Sequence, residues 1–346
     1  MRRLISIALA LSILVYLLLK NKPENDFLRF PKMKGISLKG ARHALDTIPF
    51  YEIKNTGARF VSITPYAFTN KGSSKLSYDL SWQYWGEKSF GVVRSIELAR
   101  QQGLMVMLKP QVWIMNGSTG NMDFPKQKSW DKWLKSYRKY ILHYASLAEE
   151  YNVAAFSIGS EFRVCVNKNR AFWRQLIEEV RSIYHGRITY SANWDEFQDF
   201  PLWESLDFIG VNAYFPLSKK LNPSKSDLKR GWEHWLEKLE DLSDDKNRPI
   251  VFTELGYRSM DYMAKKPWSY ESNYRQNNEI QKIAYQLFFE EVWARPWMKG
   301  VFVWDWDPNE TYKPSNNKYS PQGKPAEKIL KSYFYFDDTR RKDSIL

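Results

Sequence analysis

Two apolar runs in this sequence each end in a glutamate. Residues 153–160 read Val-Ala-Ala-Phe-Ser-Ile-Gly-Ser and lead into Glu161; residues 249–253 read Pro-Ile-Val-Phe-Thr and lead into Glu254. Alone, a strand-end acid is as readily a solvated group or a salt-bridge partner as a reactive one. As a pair the two can divide labour: across a glycosidic bond, one carboxyl protonates the leaving oxygen while the other attacks the anomeric carbon. Polar and aromatic residues close several of the other apolar runs. Lys109 and the triplet Asn193-Trp194-Asp195 offer donors and a stacking face for a sugar, or else a buried salt bridge and a structural indole. Trp304 and Trp306 stand two apart, so in a strand both would face one side. Arg258, four residues after Glu254, could orient a carboxylate or pair within its loop, and Trp82, Trp85, Trp113 and Trp268 either extend a cleft or pack their loops.

Metal and thiol chemistry have little to stand on. Cys165 is the one cysteine, which excludes an internal disulfide framework and a Cys-built metal cluster and fits a small buried apolar residue. His43, His143, His185 and His234 show no paired ligand spacing. No metal and no cofactor are expected.

The elements that must position the glutamates follow from alternation in the chain. Short β-branched or aromatic runs at 33–38, 59–65, 104–109, 154–158, 187–191, 208–211, 250–253 and 300–303 read as strands. Between them, helical periodicity is clear at 90–102, 130–151, 170–184, 227–242 and 278–293, and weaker at 48–55 and 326–333. Eight strands in βα alternation predict a (β/α)8 TIM barrel over residues 33–335, whose reacting groups lie at the carboxyl ends of the strands. Glu161 and Glu254 then end strands four and seven, and their 93-residue separation equals three βα units of about 31 residues. An open doubly wound sheet would want a Gly-rich phosphate loop, and none is present.

Composition agrees with a globular chain. Of 346 residues 43% are hydrophobic and 26% charged, which excludes a disordered or multispan chain, and the 16% aromatic content can fill a core, line an interface or form stacking platforms. The net charge is +13, of which residues 2–34 supply +5. The rest is spread without a basic run or a nucleic-acid motif, so no nucleic acid is expected as a partner.

The start, Met1-Arg2-Arg3, precedes an uncharged apolar run, residues 4–19, that ends at Lys20. This reads as an export signal or short signal anchor (1–20), with a linker at 21–32 and a tail at 336–346. Without a small-x-small cleavage pattern, retention in the membrane is favoured, and the positive-inside rule puts the barrel outside the cytoplasm, periplasmic or extracellular. Oligomeric state is not readable.

Four segments carry a family resemblance. Ser157-Ile158-Gly159-Ser160-Glu161, Asp207-Phe208-Ile209-Gly210-Val211-Asn212-Ala213-Tyr214, Phe252-Thr253-Glu254-Leu255-Gly256-Tyr257-Arg258-Ser259 and Gly300-Val301-Phe302-Val303-Trp304-Asp305-Trp306 resemble the retaining β-glycosidases of clan A. Among these the chain is similar to glycoside hydrolase family 113, the β-mannanase-like family, over about residues 34–330. The resemblance implies Glu161 as acid/base, Glu254 as nucleophile, Tyr214 as a hydrogen-bond partner of Glu254 with Asn212 beside it, and Trp304 as the tryptophan under the bond being cut. Glu161 would then need surroundings more apolar, or closer to negative charge, than those of Glu254. Ser160 stands where many clan members have asparagine, a small residue that fits family 113 and an axial 2-hydroxyl. The expected substrate is a β-1,4-mannan or related β-glycan oligo- or polysaccharide. A non-catalytic cell-surface glycan-binding barrel, or a clan A β-glycosidase of other specificity, are the alternatives. A cleft-facing carboxylate adds little packing, so Glu254→Ala is expected to leave the fold intact.

Overall fold

The computed structural model describes residues 30–269, 273–309, 316 and 318–343. The expected anchor at 1–20 and most of the linker lie outside them, and among the described residues no helix is long and apolar enough to cross a membrane.

Eight parallel strands close into a barrel. They are β1 (Met33–Leu38), β2 (Phe60–Ile63), β4 (Met105–Leu108), β6 (Ala155–Ser160), β7 (Arg187–Asn193), β8 (Ile209–Asn212), β9 (Ile250–Leu255) and β10 (Met298–Trp306), with β1 paired to both β2 and β10. All eight runs expected from the sequence are there. Helices α1 (Ile48–Lys54), α2 (Ser89–Gln101), α3 (Gln127–Glu150), α5 (Arg170–Ile183), α6 (Lys225–Lys246) and α7 (Asn278–Leu287) alternate with them. Helix α7 continues as a π-helical turn, Phe288–Trp293. The closing helix α8 runs Pro325–Asp343, past the 333 suggested by its periodicity.

Two strands and one helix are additions to the expected scheme. After β2 and β4 the chain meets Pro65 and Pro110, each unable to donate to a ladder. It then resumes as β3 (Tyr66–Asn70) and β5 (Gln111–Met115), a separate parallel pair seamed at its start by the Gln111 amide on the Pro65 carbonyl at 2.9 Å. The short helix α4 (Arg163–Lys168) opens two residues after Glu161.

The barrel is filled rather than hollow. Met33, Phe60, Met107, Ala155, Phe208, Val251 and Phe302 form an apolar cluster of their own, one from each of six strands with Phe208 just before β8. That pattern is a plug of inward side chains, while the larger core lies between strands and helices.

One glycine shows how tightly the outer ring holds the loops. Gly231 lies within α6, where a Cβ would sit 2.0 Å from the carbonyl oxygen of Leu217, in the segment that follows β8 and carries Tyr214. In an exposed helix Gly→Ala stabilises by about 1 kcal/mol. Here Gly231→Ala is expected to destabilise by about 2–3 kcal/mol, read as a lowered urea midpoint; a midpoint equal to or above the parent's would contradict this packing.

Candidate active site

Irregularities in the sheet gather at the carboxyl ends of the strands. The registers of β6 on β7, β8 on β9, β9 on β10 and β1 on β10 all shift there, between Ser157 and Ser160, at Asn212, near Val303 and at Leu38. Such bulges re-aim side chains at the rim of a barrel. Glu161, the first residue past β6, takes the left-handed conformation at φ 59°, its amide bonded to the Ser191 carbonyl of β7 at 2.9 Å.

The residues around the two glutamates interlock. One Glu254 oxygen, Oε1, accepts from the Gln111 amide at 2.8 Å and pairs with the Lys109 ammonium; the other, Oε2, accepts from the Tyr214 hydroxyl at 2.6 Å. Lys109 is fully buried and also donates to Asn212 Oδ1 at 3.2 Å, where the Thr253 hydroxyl donates at 2.9 Å. With two donors on its oxygen, the Asn212 amide must turn its nitrogen the other way. That nitrogen donates to Glu161 Oε1 at 2.7 Å and to the Ser160 hydroxyl at 3.3 Å. A single buried side chain therefore spans from the partners of Glu254 to Glu161.

The two carboxyls differ in surroundings. Glu161 receives one neutral amide, and burial first, then the charge of Glu254, push its pKa up to about 7 against the Asn212 bond and the Lys109 charge. Glu254 has three donors, one of them cationic. Burial favours the protonated form of Glu161, while the hydrogen-bond donors gather on Glu254.

Both face a cleft of about 570 Å³, and several residues expected at the site line it. Asn193, Trp194, Asn212, Tyr214 and Trp304 are in the wall, the last joined to Asp305 by a cis peptide bond. Trp113, on β5 and half exposed, faces it as well. Trp268 stacks on Trp194 with ring centroids 4.8 Å apart, so the loops after β7 and β9 meet as one aromatic wall.

Three of the expected substrate contacts lie elsewhere. Lys109 sits beneath the cleft, neutralised by Glu254, because a charge at the end of an inward strand position has no route to solvent. Arg258 is buried, donates to the Ser269 carbonyl at 3.1 Å and lies over the Tyr319 ring, bracing the cleft loop from behind. Trp306 is buried with its indole N–H on Glu52 of α1 at 3.2 Å. The bulge pairs Ser37 with Trp304 and Leu38 with Trp306, so Asp305 is skipped and the simple two-residue alternation breaks. Trp82 is 62% exposed against Phe68, outside the cleft lining, and Trp85 is likewise absent from that lining. Cys165 is buried.

Other lining residues were not picked out from the sequence. Gln111 could have been, standing two residues beyond Lys109 and so on its side of the chain; Tyr66 follows Pro65 in the same way. Tyr319 comes from the loop before α8, where no pattern marks it. Among the described residues, no cluster of three or more His, Cys, Asp or Glu could hold a metal ion.

Comparison with known proteins gives this geometry its context. A β-mannanase of family 113 from Alicyclobacillus acidocaldarius, solved in complex with ManMIm, superposes with a TM-score of 0.80 at 24% identity, over 89% of this chain and 99% of that one. A solved β-1,4-mannanase of that family is 26% identical with a TM-score of 0.77, over 88% and 99%. A β-glucuronidase from Ruminococcus gnavus shares the fold at 16% identity and a TM-score of 0.62, over 88% of this chain and 50% of its own. No curated protein matches the sequence. The profile of Glycoside Hydrolase Family 113 matches residues 41–324, through both glutamate segments and every barrel strand but the first. On that match, and on the closed barrel that carries it, the chain belongs to glycoside hydrolase family 113 and is a glycoside hydrolase.

Proposed function

We propose that the chain hydrolyses β-1,4-linked mannan with retention of anomeric configuration, Glu161 acting as acid/base and Glu254 as nucleophile. The observation that carries this reading is the Asn212 amide, which ties Glu161 to the buried partners of Glu254 on the floor of one aromatic-walled cleft. In the first step the Glu254 carboxylate attacks the anomeric carbon as the glycosidic bond breaks, and protonated Glu161 delivers its proton to the departing oxygen. Lys109, Gln111 and Tyr214 hold the attacking carboxylate in place, so its orientation is fixed before the substrate arrives. In the second step the Glu161 carboxylate takes a proton from water, whose oxygen displaces Glu254 and restores both groups. Trp304, Trp194, Trp268 and Trp113 offer apolar faces for the sugar rings. The mannan assignment is supported by the β-1,4-mannanases at 26% identity and by the small Ser160 ahead of the acid. The basic start and apolar run of residues 1–20 support an exported barrel working outside the cytoplasm.

The test is hydrolysis of β-1,4-manno-, gluco- and xylo-oligosaccharides by the full chain, with NMR following the anomer released first. The expected result is β-anomer first from the manno-oligosaccharides. First release of the α-anomer would overturn retention, faster cleavage of another series would overturn mannan, and binding without turnover would favour a glycan-binding barrel.

A further inference from the structure

A third carboxyl, Glu196, lies behind the acid rather than in the cleft wall. It sits in the turn after β7, only 4% exposed, although an acid in a strand-end loop would ordinarily be solvated. One of its oxygens, Oε1, accepts from the Tyr190 hydroxyl and from the main-chain N–H of Asn193, both at 3.1 Å. The other, Oε2, has no hydrogen-bond partner and faces Arg163 Nε at 3.8 Å. The Tyr190 oxygen in turn accepts the amide hydrogen of Phe162, the residue next to Glu161.

This chain of contacts ends at a backbone position in the left-handed region. A left-handed conformation costs a non-glycine residue about 1–2 kcal/mol, and persists only where its surroundings over-determine it. At Glu161 the surroundings are two amides pinned by β7: its own on the Ser191 carbonyl and that of Phe162 on the Tyr190 hydroxyl. Glu196 holds that hydroxyl from behind. We propose that Glu196 is a positioning residue for the glycosidase reaction, fixing the turn that presents Glu161 through Tyr190 and, by its own negative charge, favouring the protonated form of Glu161. The inference rests on the assignment of Glu161 as the acid.

The charges around Glu196 bear on the sign. Arg163 of α4 faces it, itself bound to Asp195 at 2.6 Å; Asp195 and Asp199 flank it on its own loop, Tyr190 comes from β7, and Glu161 lies beyond the end of β6. Burial pushes the Glu196 pKa up to about 7 against the hydrogen bonds from Asn193 and Tyr190 and the Arg163 charge, with a small addition from Asp195, and the charge of Glu196 adds a little to the rise at Glu161. The two therefore titrate over a similar range. As pH rises Glu196 ionises, and its charge delays loss of the proton that Glu161 must donate.

Two variants separate charge from position, in the full chain, each with a melting curve. Glu196→Gln keeps an acceptor for Tyr190 and Asn193 but removes the charge. It should keep kcat/KM at pH 5–6 within about threefold of the parent and move the alkaline limb to lower pH, with a further loss of about threefold at pH 8. Tyr190→Phe keeps the charge but frees the turn. It should lose about tenfold or more on manno-oligosaccharides, and little on a dinitrophenyl β-mannoside, whose leaving group needs no proton. An alkaline limb superimposable on the parent's in Glu196→Gln, or equal loss on both substrates in Tyr190→Phe, overturns the proposal. Should Glu196→Gln fail to fold, the Tyr190→Phe comparison decides. Glu161→Ala, run beside them, separates the two levels: equal loss on both substrates there would remove the acid assignment itself. Selective loss there, with neither expected effect in the other two variants, removes only the role of Glu196.

Discussion

Glu254→Gln is expected to lower kcat/KM on manno-oligosaccharides by about 10⁴-fold or more, and to cost the fold several kcal/mol as well. The chemical loss follows from the amide, which cannot form the glycosyl ester that the proposed mechanism passes through. The structural loss was not expected from the sequence, where a cleft-facing carboxylate promised little packing. It arises from Lys109, whose ammonium is fully buried and, among the described residues, forms its ion pair with Glu254. Removing one member of such a pair strands the other, a penalty of about 3–5 kcal/mol. Glu254→Ala is therefore expected to be the less stable variant, since it also takes the acceptor from Gln111 and Tyr214. The double variant Lys109→Met/Glu254→Gln tells the two losses apart: the urea midpoint should recover much of its fall while turnover stays absent. Turnover returning with stability would make Glu254 a structural acid, and the nucleophile would have to be sought elsewhere.

The same pair shows where reading the sequence succeeds and where it stops. Strand ends are local, so apolar runs of the right length, closed by Glu161 and Glu254, placed both acids on one rim. What a side chain meets across the barrel is not local. Lys109 has the composition of a sugar donor and the position of a counter-ion, and only the closing of β4 toward β9 decides between them. Trp306 fails for a different reason: alternation assumes an unbroken ladder, and a bulge beside Asp305 turns the second indole away from the cleft. Pro65 and Pro110 follow two barrel strands, yet the chain beyond each pairs again and brings Tyr66, Gln111 and Trp113 to the wall. Pairing between two short segments some 45 residues apart leaves no periodic trace in either. Glu196, too, reads as an ordinary loop acid until β7 folds over it.

Glu161→Ala carries the second large effect, and the leaving group sets its size. General acid catalysis by a positioned side chain contributes about 10²–10⁴-fold where the departing oxygen is basic, which is the case for a sugar hydroxyl. Loss on that scale is expected with manno-oligosaccharides, against less than about tenfold for glycosylation by a dinitrophenyl β-mannoside. The second step separates the role further, because Glu161 also deprotonates the attacking water. With the activated substrate, Glu161→Ala should release one equivalent of dinitrophenol in a burst and then slow, as the glycosyl-enzyme waits for a base. The pH profile supplies the sign. Glu161 must be protonated to act and its pKa is pushed up to about 7, so parent kcat/KM on oligosaccharides should fall about tenfold per unit above that pH. In Glu161→Ala that limb should vanish, because the group that titrates is gone. Retention of the limb in the variant, or equal losses with good and poor leaving groups, would assign the proton to another residue. The expected selective loss and burst would not follow from a disturbed fold alone, since unfolding lowers both substrates together and leaves no burst.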